Sequence, residues 1–172
     1  KKDTKIRTSL HPAVEENKIL RPSPNNISSA ARSLKQGKLI AFPTETVYGL
    51  AANAMSDQSV AKVFQVKERP SFNPLIIHFH NIKSAKKFVK FNKHASILAK
   101  KFWPGSLTLV LPKKKSCMIS LLASAGLDSL AIRVPKNKIA RELIKKSGLP
   151  IAAPSANISG TISPTTAKHV LQ

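Results

Sequence analysis

Five short apolar runs, Lys38–Phe42, Leu75–Phe79, Leu107–Leu111, Leu130–Val134 and Ile151–Ala153, alternate along this chain with stretches of helical periodicity. Short apolar runs bounded by Pro, Gly and polar residues read as buried strands. Strands interleaved with helices specify a twisted, open α/β or mixed α+β sheet flanked by helices. The spacing predicts a helix over Ile27–Gln36, with Ala30, Ala31 and Leu34 on one face and Gly37 as its stop. A second runs from an N-cap at Asp57 to about Val66, with Val60, Val63 and Phe64 inward. Two more fall near Ile82–Val89 and His94–Lys101, ending at Trp103-Pro104-Gly105. Another lies near Ile139–Lys146, closed by Gly148, and Pro164 suits the first position of a final helix.

At 172 residues the chain fits one domain with a full core. Residues 1–26 lack sustained periodicity and carry Pro12, Pro22 and Pro24, which predicts an N-terminal arm with one short strand around Lys18–Arg21. Residues 27–172 form the body. The chain has no initiator Met and stops at Gln172 inside an expected helix, the pattern of a fragment trimmed at its C-terminal end. No apolar run approaches the roughly 20 residues that span a bilayer. No signal-peptide pattern opens the sequence, and Cys117 is the single cysteine. These features point to a cytoplasmic protein with no membrane partner.

The charge is lopsided: 29 Lys plus Arg against 8 Asp plus Glu, a net +21. Such a field draws phosphates, RNA and acidic surfaces alike. Beyond the first twenty residues the acids are Glu45, Asp57, Glu68, Asp128 and Glu142. So few carboxylates leave little with which to build a paired-carboxylate hydrolase or an acidic metal cage.

Against that background the polar clusters stand out. Pro43-Thr44-Glu45-Thr46-Val47-Tyr48-Gly49-Leu50 leaves an apolar strand directly, with two hydroxyls, a carboxylate and a phenol. It reads equally as a functional strand-end loop or as a turn that uses its threonines internally. Lys67-Glu68-Arg69-Pro70 ends a helix, where basic residues also suit the helix dipole. Pro70 favours an extended Arg69, so Lys67 and Arg69 are expected to project as two prongs toward a phosphate chain, with Asn73 adding an amide. Pro154-Ser155-Ala156-Asn157 follows the last strand without the glycines of a nucleophile elbow. Thr161, Ser163 and Thr165 add hydroxyls near a helix start. The pair His78 and His80 has zinc-like spacing but no evident third ligand. Arg133, among Leu130, Ala131, Ile132 and Val134, calls for an anionic partner if buried, such as a substrate carboxylate, or for solvent at an exposed strand end.

The blocks PTETVYGL, KERPSFNPL, WPGSLTLVL, LAIRVP and PSANISGTISPT, in that order from about Ile27 to Gln172, resemble the YrdC-like threonylcarbamoyl-AMP synthases. The family's K-x-R and S-x-N signatures correspond to Lys67-Glu68-Arg69 and Ser155-Ala156-Asn157. The resemblance implies a twisted open sheet with a basic concave groove. It also implies synthesis of L-threonylcarbamoyl-AMP from L-threonine, bicarbonate or CO2 and ATP, with Mg2+ and release of pyrophosphate, feeding a downstream tRNA t6A transferase complex. By the same resemblance Thr46, His78, Arg133 and Ser155 would hold L-threonine. Lys67 and Arg69 would be catalytic and, with Asn73, Ser129, Asn157 and Thr165, would line the ATP side. The charge motivates an alternative from another class, a double-stranded RNA or tRNA-binding module of the same fold without synthase activity.

Overall fold

The computed structural model describes residues 19–171. In chain order the elements are α1 (Pro24–Lys35), β1 (Ile40–Pro43), β2 (Tyr48–Asn53), α2 (Asp57–Lys67), β3 (Ile76–His78) and α3 (Ile82–Ala85). There follow α4 (Lys93–Phe102), β4 (Leu109–Pro112), β5 (Ser129–Arg133), α5 (Lys138–Ser147), β6 (Ile151–Ala152) and α6 (Ala167–Leu171). The six strands make one open mixed sheet in the order β1-β2-β6-β3-β5-β4. Only β3 and β5 run parallel, with His78 opposite Arg133; the other neighbours are antiparallel.

Successive residues of a strand face opposite sides, and the core divides accordingly. Ala31 and Leu34 of α1 and Leu143 and Ile144 of α5 pack with Phe42, Ala51 and Ile151 on one face. Val60, Val63 and Phe64 of α2 pack with Ala52, Ile77, Leu130 and Ile132 on the other. Adjacent residues such as Ala51 and Ala52, or Ile151 and Ala152, thus serve different layers.

Local chemistry sets the helix starts. Ser23 caps α1 by accepting from the Asn26 N–H, with Pro24 in the first turn, so the helix begins three residues earlier than the apolar pattern suggests. It therefore straddles the expected arm–body boundary at 26/27. Of the strand expected around Lys18–Arg21, Lys18 lies outside the described residues and 19–23 carry no regular structure. In α2 the cap is Ser56, not Asp57; the Asp57 carboxylate accepts from Ser120 Oγ instead. The helix expected over Ile82–Val89 is regular only to Ala85, after an Asn81–Ser84 capping box.

The largest departure is β2. The stretch after Pro43 is not simply a loop: residues 44–47 are the turn of a hairpin, and Tyr48–Asn53 returns as a strand beside β1. Its Gly and Ala residues carry no β-branched signal. At Gly49 the space is taken: a Cβ there would meet Phe42 Cε1 at 3.0 Å. Pro164 likewise does not begin α6; it is buried, and its carbonyl accepts from the Tyr48 N–H at 2.8 Å.

Ile132 of β5 is fully buried. Ile132→Ala is expected to cost about 2–5 kcal/mol in urea unfolding. Asn92→Ala, which removes the α4 cap bond to the Ala95 N–H, is expected to cost about 1 kcal/mol.

Candidate functional site

Two polar centres emerge from this frame. The first is assembled by Lys67. As the last residue of α2 it is only 2% exposed, and its Nζ donates to the backbone carbonyls of Ser155 and Asn157. The Ser159 N–H donates back to the Lys67 carbonyl at 2.9 Å. Burial, followed by the nearby charge of Arg69, pulls the Lys67 pKa from 10.5 down to about 8. The two motifs that stand far apart in sequence thus meet at one ammonium group.

Arg69 is placed differently from the expected second prong. Glu68 takes a left-handed conformation (φ 50°) and turns the chain out of the helix. The Arg69 guanidinium then lies along its own loop, donating to the carbonyls of Asn73 (3.5 Å) and Pro74 (3.3 Å). Lys67 and Arg69 are close enough for their charges to interact, yet each is oriented by a different set of carbonyls. Asn157 uses its amide nitrogen on the Ile158 and Thr161 carbonyls, both at 2.8 Å. Its Oδ1 and the Ser159 hydroxyl are buried with no hydrogen-bond partner among the described residues.

The second centre is built by the β1–β2 turn. Thr44 Oγ1 donates to the Val47 carbonyl and accepts from the Thr46 and Val47 N–H groups, which fixes the turn and leaves Thr46 exposed. Glu45 then reaches Arg133. The Arg133 guanidinium donates to the carboxylate at 2.7 Å, and the backbone N–H groups of Lys136 and Asn137 donate to its other oxygen. Arg133 Nε donates to the Gly105 carbonyl at 3.2 Å. The anionic partner of this buried arginine is therefore a residue of the chain itself. Burial raises the Glu45 pKa, but the bonds from Arg133 and the backbone outweigh it and hold the carboxyl below its ordinary value. Sequence reasoning placed Glu45 in a polar loop without assigning it to the site; its being the only acid in that loop was the available signal.

His78 lies beside Arg133 in the parallel register and is buried. Its Nδ1 is 3.2 Å from the Ile76 carbonyl, and its ring meets Phe42 edge-on. Burial first, then the Arg133 charge, lower its pKa from 6.5 to about 4, so the imidazole is neutral at pH 7. His80 lies beyond the end of β3, against α5.

Register separates the centres along the strands. Ser129 and Arg133 sit at opposite ends of β5, roughly 13 Å apart at the usual strand rise. Ile76 pairs with Ala131, so Asn73 and Ser129 share one end of the sheet while His78 and Arg133 share the other. Ser155 bridges to Gly49 and meets Lys67, which places it in the lysine centre. Thr165 is exposed just ahead of α6, whose first turn is capped by the neighbouring Thr166 hydroxyl.

A mixed sheet with a lysine centre built from two strand-end loops and an arginine centre across the strands marks the chain as an α/β domain suited to anionic ligands. Residues 32–172 match the Sua5/YciO/YrdC family model, described as "Telomere recombination", and the chain belongs to that family. It is 50% identical over 147 residues to the threonylcarbamoyl-AMP synthase of Pyrococcus abyssi, covering 85% of this chain and 43% of that protein. Over 145 residues it is 50% identical to the Bacillus subtilis threonylcarbamoyl-AMP synthase, covering 84% and 42%. Among solved structures, P. abyssi Sua5 complexed with L-threonine superposes with a TM-score of 0.82 at 48% identity, covering 89% of this chain and 44% of that one. The chain thus spans less than half the length of these relatives.

Buried His78 makes stability depend on pH. Its folded pKa of about 4 lies below its ordinary 6.5, so between these values the unfolded chain binds a proton that the folded one refuses. Stability is full above the ordinary value and falls as pH drops toward the folded one; Glu45, depressed from 4.5, adds to the loss at the acid end. Urea midpoints measured from about pH 7.5 to about pH 4.5 are expected to fall steeply in the native chain and less in His78→Gln. Equal slopes would contradict the assignment.

Proposed function

We propose that this chain carries the nucleotide and amino-acid sites for making L-threonylcarbamoyl-AMP from L-threonine, bicarbonate or CO2 and ATP. The observation that carries the reading is the Lys67 ammonium fixed by the Ser155 and Asn157 carbonyls beside Arg69. The relatives called threonylcarbamoyl-AMP synthase support it, as does the related Sua5 structure complexed with L-threonine.

In this reaction the threonine nitrogen bonds to the CO2 carbon and loses a proton to solvent, giving a carbamate. A carbamate oxygen then attacks the α-phosphorus of ATP while the bond to the β-phosphate oxygen breaks and pyrophosphate leaves. This is a nucleotidyl transfer. The protein's task is to hold two anions together and offset their repulsion. Arg133 has five N–H donors, of which Glu45 and the Gly105 carbonyl occupy part; the rest would take the threonine carboxylate. Neutral His78, Thr46 and Ser155 would complete that side. Lys67, Arg69, Asn73, Ser129, Asn157 and Thr165 would serve ATP, with Lys67 and Arg69 on the phosphates. Mg2+ would rest mainly on phosphate oxygens, relieving their charge. The unpartnered Asn157 Oδ1 and Ser159 Oγ are neutral oxygen donors that fit such a hard cation. The product would pass to a t6A transferase acting on tRNA in the cytoplasm; among the described residues no helix is long and apolar enough to cross a membrane.

A net charge of +21, with no acid between Glu68 and Asp128, favours a second reading as a double-stranded RNA or tRNA-binding module without synthase activity. The assay is pyrophosphate release with L-threonine, bicarbonate, Mg2+ and ATP. Threonine-dependent release that Lys67→Ala and Arg69→Ala abolish supports the synthase. RNA binding that falls steeply with salt, with no measurable ATP binding, supports the module.

Phosphates beside Lys67 would raise its pKa back above 8. ATP affinity is therefore expected to weaken as pH climbs from about 7.5 to about 9.5. Calorimetric titration across that range checks it, and a flat profile would place the triphosphate elsewhere.

A further inference from the structure

A cavity of about 380 Å³ opens beyond the C-terminal ends of β3 and β5, next to the arginine centre but lined by other side chains. His80, Lys83 and Arg141 supply its polar wall; Ile82, Trp103 and Val134 supply much of the rest. Glu45, Lys67, His78, Arg133 and Ser155 do not line it. Three cationic or protonatable side chains from three places, the β3–α3 connection, α3 and α5, therefore converge on one half-apolar space.

Their hydrogen bonding is incomplete. Arg141 Nε and His80 Nδ1 are shut off from solvent and have no hydrogen-bond partner among the described residues. Buried polar groups in folded proteins nearly always find one, and leaving such a group unmet costs about 1–3 kcal/mol, more where it is charged. No ion pair or side-chain hydrogen bond is observed for the Arg141 guanidinium among the described residues, in contrast to Arg133, which has Glu45 and the Gly105 carbonyl. Among the described residues Glu142 is the one acid whose charge reaches His80, and there it is outweighed by burial and by the charges of Arg141 and Lys145, which together lower the His80 pKa. The region is thus electropositive, and the Arg141 guanidinium nitrogens other than Nε, which are not among the buried unpartnered atoms, are the ones a ligand in the cavity could reach.

We propose that this cavity binds a small organic carboxylate, its carboxylate on the Arg141 guanidinium and its apolar or planar body against Trp103, Ile82 and Val134. A guanidinium matches a carboxylate in a planar, two-bond geometry. The apolar wall distinguishes an organic acid from a bare oxyanion, which would leave that surface unused. This site is independent of the synthase reading, because it shares none of that reading's ligand-contacting side chains.

Trp103 is the only tryptophan of the chain, so its fluorescence reports directly on occupancy. The 172-residue chain is titrated with benzoate, with neutral benzyl alcohol and with inorganic phosphate, in the absence of ATP and threonine. A saturable benzoate response is expected, about tenfold or more weaker for benzyl alcohol and for Arg141→Gln, in keeping with loss of a charge-assisted bond. His80→Ala, in the cavity wall, is a second variant that also weakens binding, and far-ultraviolet circular dichroism confirms that both variants are folded. No saturable response up to about 10 mM benzoate overturns the proposal. An equal response to benzyl alcohol overturns it, as does one unchanged in both variants. A response to phosphate but not benzoate overturns the assigned ligand class.

Discussion

The fold hangs on a strand of two residues. β6, Ile151–Ala152, enters the sheet last in sequence yet sits between β2 and β3. It joins the β1–β2 hairpin to the β3-β5-β4 unit, and its two side chains are fully buried on opposite faces. Such a short element cannot persist alone. Its partners on both sides hold it, and it fixes where the next residues, Pro154 to Ser159, run. Everything at the lysine centre follows from that path.

Each polar centre solves the same problem in a different way. A buried cation must be met by hydrogen-bond acceptors or by an anion. Lys67 is met by neutral carbonyls, which orient the ammonium but leave its charge uncancelled, and its pKa falls accordingly. Arg133 is met by a carboxylate that is itself anchored by two backbone N–H groups at the entry to α5. One centre keeps a net positive charge; the other is a balanced pair with donors to spare.

Much of this could be read from the residues, and the misses have physical causes. The interleaved apolar runs gave the strand and helix alternation, and α2, α4, α5 and five of the strands lie close to their expected places. β2 escaped because Gly49, Ala51 and Ala52 carry no β-branched signal, and at Gly49 it is the neighbouring Phe42 ring that leaves no room for a side chain. The K-x-R and S-x-N motifs were visible as polar clusters. That Lys67 would meet the backbone of the second motif, rather than stand beside Arg69 as a parallel prong, depends on a left-handed Glu68 that no local pattern demands. Glu45 was hidden for a similar reason: a carboxylate's partner 88 residues away leaves no periodicity to read.

Those long separations bear on the chain's assembly during synthesis. The bonds from Lys67 span 88 and 90 residues, and Glu45 meets Arg133 across 88. A growing chain emerges N-terminus first, so Lys67 leaves the ribosome well before either carbonyl that will hold it exists. The lysine centre is thus complete only after residue 157 has been made and β6 has slotted between its neighbours. A chain that has not reached residue 157 has the Lys67 ammonium but not the carbonyls that hold it, which makes occupancy of that centre a signature of a fully assembled domain.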